Sequence, residues 1–177
     1  MSAGDGAETL HLEPVRERPS RFISSRASTA NLGGVDGADA LCNTLANNAN
    51  LGGSWRSWTS AGSSSPATRF TRPNVSYRLL DGTLIANGWN DLVDGELRSP
   101  INVDERGVVV SASTEVWTGT GPDGQPLHTG CSGFTSADGS ATDYAGQGHS
   151  DKTDGGWTYV NVQQCSRTDA RIYCFEQ

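Results

Sequence analysis

Four cysteines constrain what this chain can fold into more than any other residues. Cys42 falls in a predicted helix near the start of the compact region, and Cys174 in the last predicted strand, Ile172-Tyr173-Cys174-Phe175. Cys131 and Cys165 fall between them and bracket a long stretch rich in Gly and polar residues. Four cysteines allow three pairings. The nested one, Cys42 with Cys174 and Cys131 with Cys165, would fasten the two ends of the fold and pin one long loop. An even count without Cys-x-x-Cys argues against zinc or thioredoxin-type chemistry. With 22 glycines, five tryptophans and few lysines, it points to an oxidising, extracellular or cell-surface setting. The opening residues Met1-Ser2-Ala3-Gly4-Asp5-Gly6 show neither the basic nor the apolar region of a signal peptide.

A chain of 177 residues suits one domain with a real core, so disulfides would reinforce that core rather than replace it. The formal charge is −7. An acidic surface repels phosphate backbones, which argues against nucleic acid and against heparin-like polyanions. No apolar run approaches the roughly 18 residues that cross a membrane, so membrane insertion is not expected.

Along the chain, residues 1–19 read as a flexible N-terminal segment with an edge strand at Leu10-His11-Leu12, and the domain proper spans 20–177. Phe22-Ile23-Ser24-Ser25 reads as a strand. A helix is expected from Asp36, a capping residue type. Ala38, Leu41, Cys42, Leu45, Ala46 and Ala49 then fall on one helical face, so the Cys42 sulfur points inward, and Gly52-Gly53 ends the helix. Ser54 to Thr59 reads as a strand and Ser60 to Pro66 as a flexible surface loop. Tyr77 to Ala86 reads as a hairpin turning at Asp81-Gly82 in type I′ geometry. Trp89 to Val93 reads as a second helix, Val103 to Val110 as a small hairpin, and Val116-Trp117-Thr118 as a strand. Pro122 to Gly156 reads as a long loop with Cys131-Ser132-Gly133-Phe134 as its anchor. Gln163-Gln164-Cys165 and Ile172 to Phe175 close the fold as strands.

These segments resemble a known family. The residues that carry the likeness are the turn and helix Asn31-Leu32-Gly33-Gly34-Val35-Asp36-Gly37-Ala38-Asp39-Ala40-Leu41-Cys42, then Leu51-Gly52-Gly53-Ser54-Trp55-Arg56-Ser57-Trp58-Thr59-Ser60. Val116-Trp117-Thr118-Gly119 with a Pro-Asp-Gly turn, and Cys131, Cys165 and Cys174 in that order, complete it. Over roughly residues 20–176 the chain looks like the endostatin-type branch of the C-type lectin-like fold, and like bacterial extracellular domains of that shape. The resemblance implies an α+β fold with two helices, a twisted and mostly antiparallel sheet, and a long disulfide-tethered loop. It implies the nested disulfides Cys42–Cys174 and Cys131–Cys165. It also implies a non-catalytic recognition or adhesion role toward a surface glycan or a matrix or surface protein. Two family features do not carry over. The collagen-derived domains use an arginine-rich heparin face, which a −7 chain lacks, and an N-terminal zinc site of several histidines, where only His11 is present.

Candidate site residues follow from chemistry. Lectins of the wider fold bind sugar through calcium with Glu-Pro-Asn or Gln-Pro-Asp and a Trp-Asn-Asp. Here Gln125-Pro126-Leu127 lacks the third ligand, Glu13-Pro14-Val15 is in the wrong region, and Trp89-Asn90-Asp91 falls in the expected second helix. Gly119-Thr120-Gly121-Pro122-Asp123-Gly124 fits G-x-G-x-x-G, but its prolines deny it the helix a dinucleotide site needs, so it is a turn. Asp138, Asp143, Asp151 and Asp154 with His149 offer hard oxygen ligands and make calcium the one cofactor candidate, although a solvated acidic loop accounts for them more simply. Asp91, Asp94, Glu96, Asp104 and Glu105 read as solvated surface. No Gly-x-Ser-x-Gly elbow is present and His11, His128 and His149 are scattered, so nucleophilic catalysis is not expected.

Trp55, Trp58, Trp89 and Trp117 read as core. Trp157, after Asp154-Gly155-Gly156, is expected as a partly exposed contact residue. The expected binding set is therefore Trp157, Tyr144, His149, Asp151 and Asp154, on a contact loop from about Gly133 to Trp157. The alternatives are a structural or oligomerisation domain of a larger surface protein, and a hydrolase with a carboxylate pair.

Overall fold

The structure is a computed structural model that describes residues 19–72, 74–140 and 142–177. The strand expected at Leu10-His11-Leu12 lies outside them.

The chain forms an α+β fold with two sheets. The larger has the order β2-β8-β1-β3-β4 and the smaller β5-β6-β7. Strand β1 (Ser20–Ile23) runs antiparallel to β8 (Tyr173–Glu176) and parallel to β3 (Tyr77–Leu79). Strand β2 (Trp55–Ser57) covers the other side of β8, and β4 (Leu84–Ala86) closes the far edge. The two ends of the described chain are thus neighbours at the centre of one sheet. In the second sheet, β6 (Tyr144–His149) lies between β5 (Glu115–Trp117) and β7 (Asn161–Gln164), antiparallel to both.

Strand alternation divides the core in two. Phe22, Ile172 and Cys174 face one way, toward Ala38, Cys42 and Ala46 of helix α1 (Gly34–Asn48). Ile23, Tyr173 and Phe175 face the other way, into a cluster with Trp58, Phe70, Leu92 and Trp157. A polar clamp fixes α1 to the sheet. Asp39 accepts from the Ser57 N–H at 2.8 Å and from Arg69 Nη1 at 2.8 Å, while Arg69 Nη2 donates to the Ser57 and Thr59 carbonyls. Both pairings implied by the family likeness are present. Cys42–Cys174 spans 132 residues and Cys131–Cys165 spans 34.

Several local expectations are corrected. Helix α1 starts at Gly34, not Asp36; its N-cap is Gly33 in the left-handed region without a side-chain cap, and Asp36 sits in the first turn. The helix is over before Gly52-Gly53, because Asn50 takes a left-handed φ of 54°. In the β3–β4 connection only Gly82 is left-handed, and its N–H donates to the Leu79 carbonyl. A type I′ turn needs positive φ at both central residues, so this is not one. The Ser60 to Pro66 segment is not a loose surface loop: Ser60, Ser65 and Pro66 are buried, and Pro66 opens a short helix α2 (Pro66–Arg69). The expected second helix is α3 (Trp89–Leu92), and the small hairpin pairs Val103 with Val109. Among the described residues no helix is long and apolar enough to cross a membrane.

Candidate functional site

The expected contact loop is more structured than its composition suggests. Gly130–Phe134 forms α4, whose residues 131–134 are left-handed, with φ of 57°, 52°, 68° and 65°. Each non-glycine residue held there costs about 1–2 kcal/mol. The Cys131–Cys165 bond, a 2.7 Å bond from Cys131 N–H to Asp143 Oδ1, and burial of the Phe134 ring against Trp117 offset that cost. Beyond it the chain forms β6 through Gly146 and Gly148. A Cβ at Gly148 would lie 2.1 Å from the Trp157 carbonyl oxygen, so glycine here marks close backbone approach, not a loop.

Trp157 is 0% exposed. The 3₁₀ turn Gly155–Trp157 tucks its ring against Trp58 at 4.8 Å and Tyr173 at 5.7 Å. The expected partly exposed contact face does not exist, and Trp157 is a core residue. The other members of the expected set do not converge on it. Tyr144, 37% exposed, and His149, half-buried, are the first and last residues of β6, about 17 Å apart at the rise of a strand. Asp151 accepts from Ser113 Oγ at 3.0 Å, and Asp154 accepts from Gly156 N–H at 2.9 Å and so caps the 3₁₀ turn. Asp138 accepts from Ser140 N–H. These carboxylates are engaged separately, Asp138 and Asp154 in their own turns and Asp151 by Ser113, instead of framing one ion. Among the described residues the close group of ligand atoms is Cys131, Asp143 and Cys165. Its two sulfurs are bonded to each other, and only a thiolate ligates metal.

A different feature gathers several ligand-binding side chains. An open groove of about 350 Å³ is lined by Arg72, Asn74, Asn87, Trp89, Asn90 and Asp91. That volume is in the range of small-ligand sites. One wall is the segment that follows α2. The other is the end of β4 and the start of α3. Trp89 stands between core and solvent, half-buried, with Trp58 at 6.1 Å and Phe70 at 6.3 Å behind it. Arg72 lies over its ring, guanidinium carbon 4.5 Å from the centroid. Asp91 accepts from Asn87 N–H at 2.7 Å and from Arg98 Nε at 3.1 Å. The Asn87 bond first, and the Arg98 guanidinium with it, hold the Asp91 carboxyl below the usual carboxylate range. With its amide oxygen turned toward Arg98, Asn87 accepts from Nε at 3.1 Å and Nη2 at 2.7 Å. A fixed carboxylate, three amides and a cation-topped indole thus share one rim. Sequence reasoning placed Trp89 in the core and passed over Arg72. The signal was local: Trp89 is the one tryptophan flanked by Asn87, Asn90 and Asp91, too polar a setting for a fully buried ring.

A second cavity of about 400 Å³ holds Glu115, Asp169, Arg167 and Arg171. It brings two carboxylates together, as a carboxylate hydrolase requires. Both are clamped to Arg167, at 2.5 Å and 2.7 Å. The bond from Arg167 holds Asp169 below its ordinary value, the reverse of what a general acid needs.

Comparison with protein-family models and with curated proteins finds no match for this chain.

Proposed function

We propose that this chain is a non-catalytic recognition domain of the extracellular space or cell surface, with an endostatin-type C-type lectin-like fold, that binds a surface glycan in the groove at Trp89. The observation that carries this reading is the groove's lining. Asn74 and Asn90 offer amide donors and acceptors to sugar hydroxyls, and Asn87, whose oxygen already accepts from Arg98, offers its amide N–H groups, beside a partly exposed indole. The lining holds one carboxylate, Asp91, bound by Arg98, whereas a carboxylate-pair hydrolase needs two. The two disulfides support an oxidising location. The groove replaces the Gly133–Trp157 stretch as the contact surface, because Trp157 is buried and Tyr144, His149, Asp151 and Asp154 do not converge on one face.

One observation favours a second reading, an assembly domain. Val108 and Val109 are 53% and 65% exposed on the returning arm of the small hairpin.

The glycan reading is tested on a broad glycan array, in calcium and in EDTA, with the wild type and Asn90→Ala. Asn90 is exposed, so its variant keeps the fold. Binding that survives EDTA and weakens in Asn90→Ala is expected. Binding abolished by EDTA would return the role to calcium, and binding indifferent to Asn90→Ala would remove the groove. Light scattering on the same sample reads the assembly alternative.

A further inference from the structure

The groove carries one unmatched charge, and its sign says what the ligand brings. This inference rests on the glycan reading above. Asp91 is neutralised by Arg98. Arg72 has no carboxylate within ion-pair distance among the described residues. Its guanidinium lies on the Trp89 ring and one nitrogen donates to the Ala67 carbonyl. A guanidinium has five N–H donors, and stacking on an aromatic face uses none of them. The stack holds the group in place, so less rotamer freedom is lost when it binds a ligand. A neutral sugar seeking the indole face would have to displace the arginine. A sugar carrying a carboxylate would pair with the guanidinium and leave the cation–π contact intact.

We propose that the groove takes a saccharide bearing a single carboxylate, of the uronate or sialate type. Arg72 reads the carboxylate, and the amides of Asn74, Asn87 and Asn90 read the hydroxyls. The net charge of −7 fits this choice, because a polyanion would be repelled by the surrounding surface while one carboxylate would meet a local positive centre. An acidic peptide shares the carboxylate and could bond the same amides through its backbone, so the test includes it as the competing ligand.

The test is an array carrying uronate-terminated, sialylated and neutral glycans together with acidic peptides. Calorimetry then compares the best acidic hit with its carboxyl-reduced counterpart. The wild type is expected to prefer the carboxylate form by about tenfold to a hundredfold, the range of a charged hydrogen-bonded contact. Arg72→Gln is expected to bind both forms alike while melting at the wild-type temperature, since Arg72 is exposed. Hits confined to neutral glycans, or equal affinity for the acid and its reduced form, would overturn the carboxylate inference and leave the glycan reading standing. Hits confined to acidic peptides would overturn the saccharide while keeping the role of Arg72. No binding to any probe would overturn both.

Discussion

Replacing Trp157 with alanine separates a core role from a contact role. A tryptophan buries up to about 250 Å², and at about 25 cal/mol per Å² this sets a ceiling of about 6 kcal/mol. Alanine keeps part of that burial and the unfolded chain is itself partly compact, so the loss expected for a large aromatic is about 3–5 kcal/mol. The ring's contacts with Trp58 and Tyr173 place Trp157 well inside that class. Its indole N–H is buried without a partner, so no hydrogen bond is lost with it. The same fact makes Trp157→Phe mild, about 1.5 kcal/mol or less, because most of the volume stays and the orphan donor goes. Urea unfolding of the oxidised protein measures both, and for a chain of this size the alanine variant should melt about 6–20 °C lower. Both variants, assayed while folded, should keep the wild-type affinity for ligand. An alanine cost under about 1 kcal/mol, or a selective loss of binding in Trp157→Phe, would refute the burial argument and restore Trp157 as a contact residue.

Two further predictions concern the fold. In the loop-entropy picture, removing Cys42–Cys174 as a paired alanine variant costs about 5 kcal/mol and removing Cys131–Cys165 about 4 kcal/mol, because their loops span 132 and 34 residues; equal or reversed losses in denaturant titrations would contradict it. Asp104 sets part of the acid limit of stability. Its burial alone would raise its pKa, but bonds from Arg106 and from the Val108 and Arg106 backbone N–H groups win, so its pKa lies below the ordinary value. A depressed folded pKa stabilises the fold above the unfolded value, about 3.9, and this contribution is lost as pH falls through the folded pKa. Stability measured between about pH 5 and pH 2 should therefore fall less steeply in Asp104→Asn than in the wild type; equal slopes would exclude Asp104.

What was legible in the sequence was the part governed by periodicity. Ala38, Cys42 and Ala46 recur at helical spacing, and all three are buried in α1. The buried Trp55, Trp58 and Trp117 follow from their strand-like surroundings. Strand β6 was not legible, because Gly146 and Gly148 read as loop residues while the structure uses them to let the Leu127 and Trp157 backbones approach. Trp157 was misplaced for a related reason. Gly155-Gly156 reads as an exposed turn, but the turn points its indole inward. The groove was missed although its walls, Arg72 and Asn74 on one side and Asn87 to Asp91 on the other, flank the β3–β4 hairpin that the sequence did announce. What no local pattern records is that Arg72 lies over the Trp89 ring.

The account's central claim is that the groove at Trp89 is the contact surface. Chemical-shift mapping of the isotopically labelled, oxidised protein against its best array glycan tests that claim directly. The account predicts the largest shifts at Arg72, Asn74 and Asn87 through Asp91, with the indole N–H of Trp89 among them and that of Trp157 unmoved. Shifts concentrated between Gly133 and Trp157, with the groove silent, would contradict it.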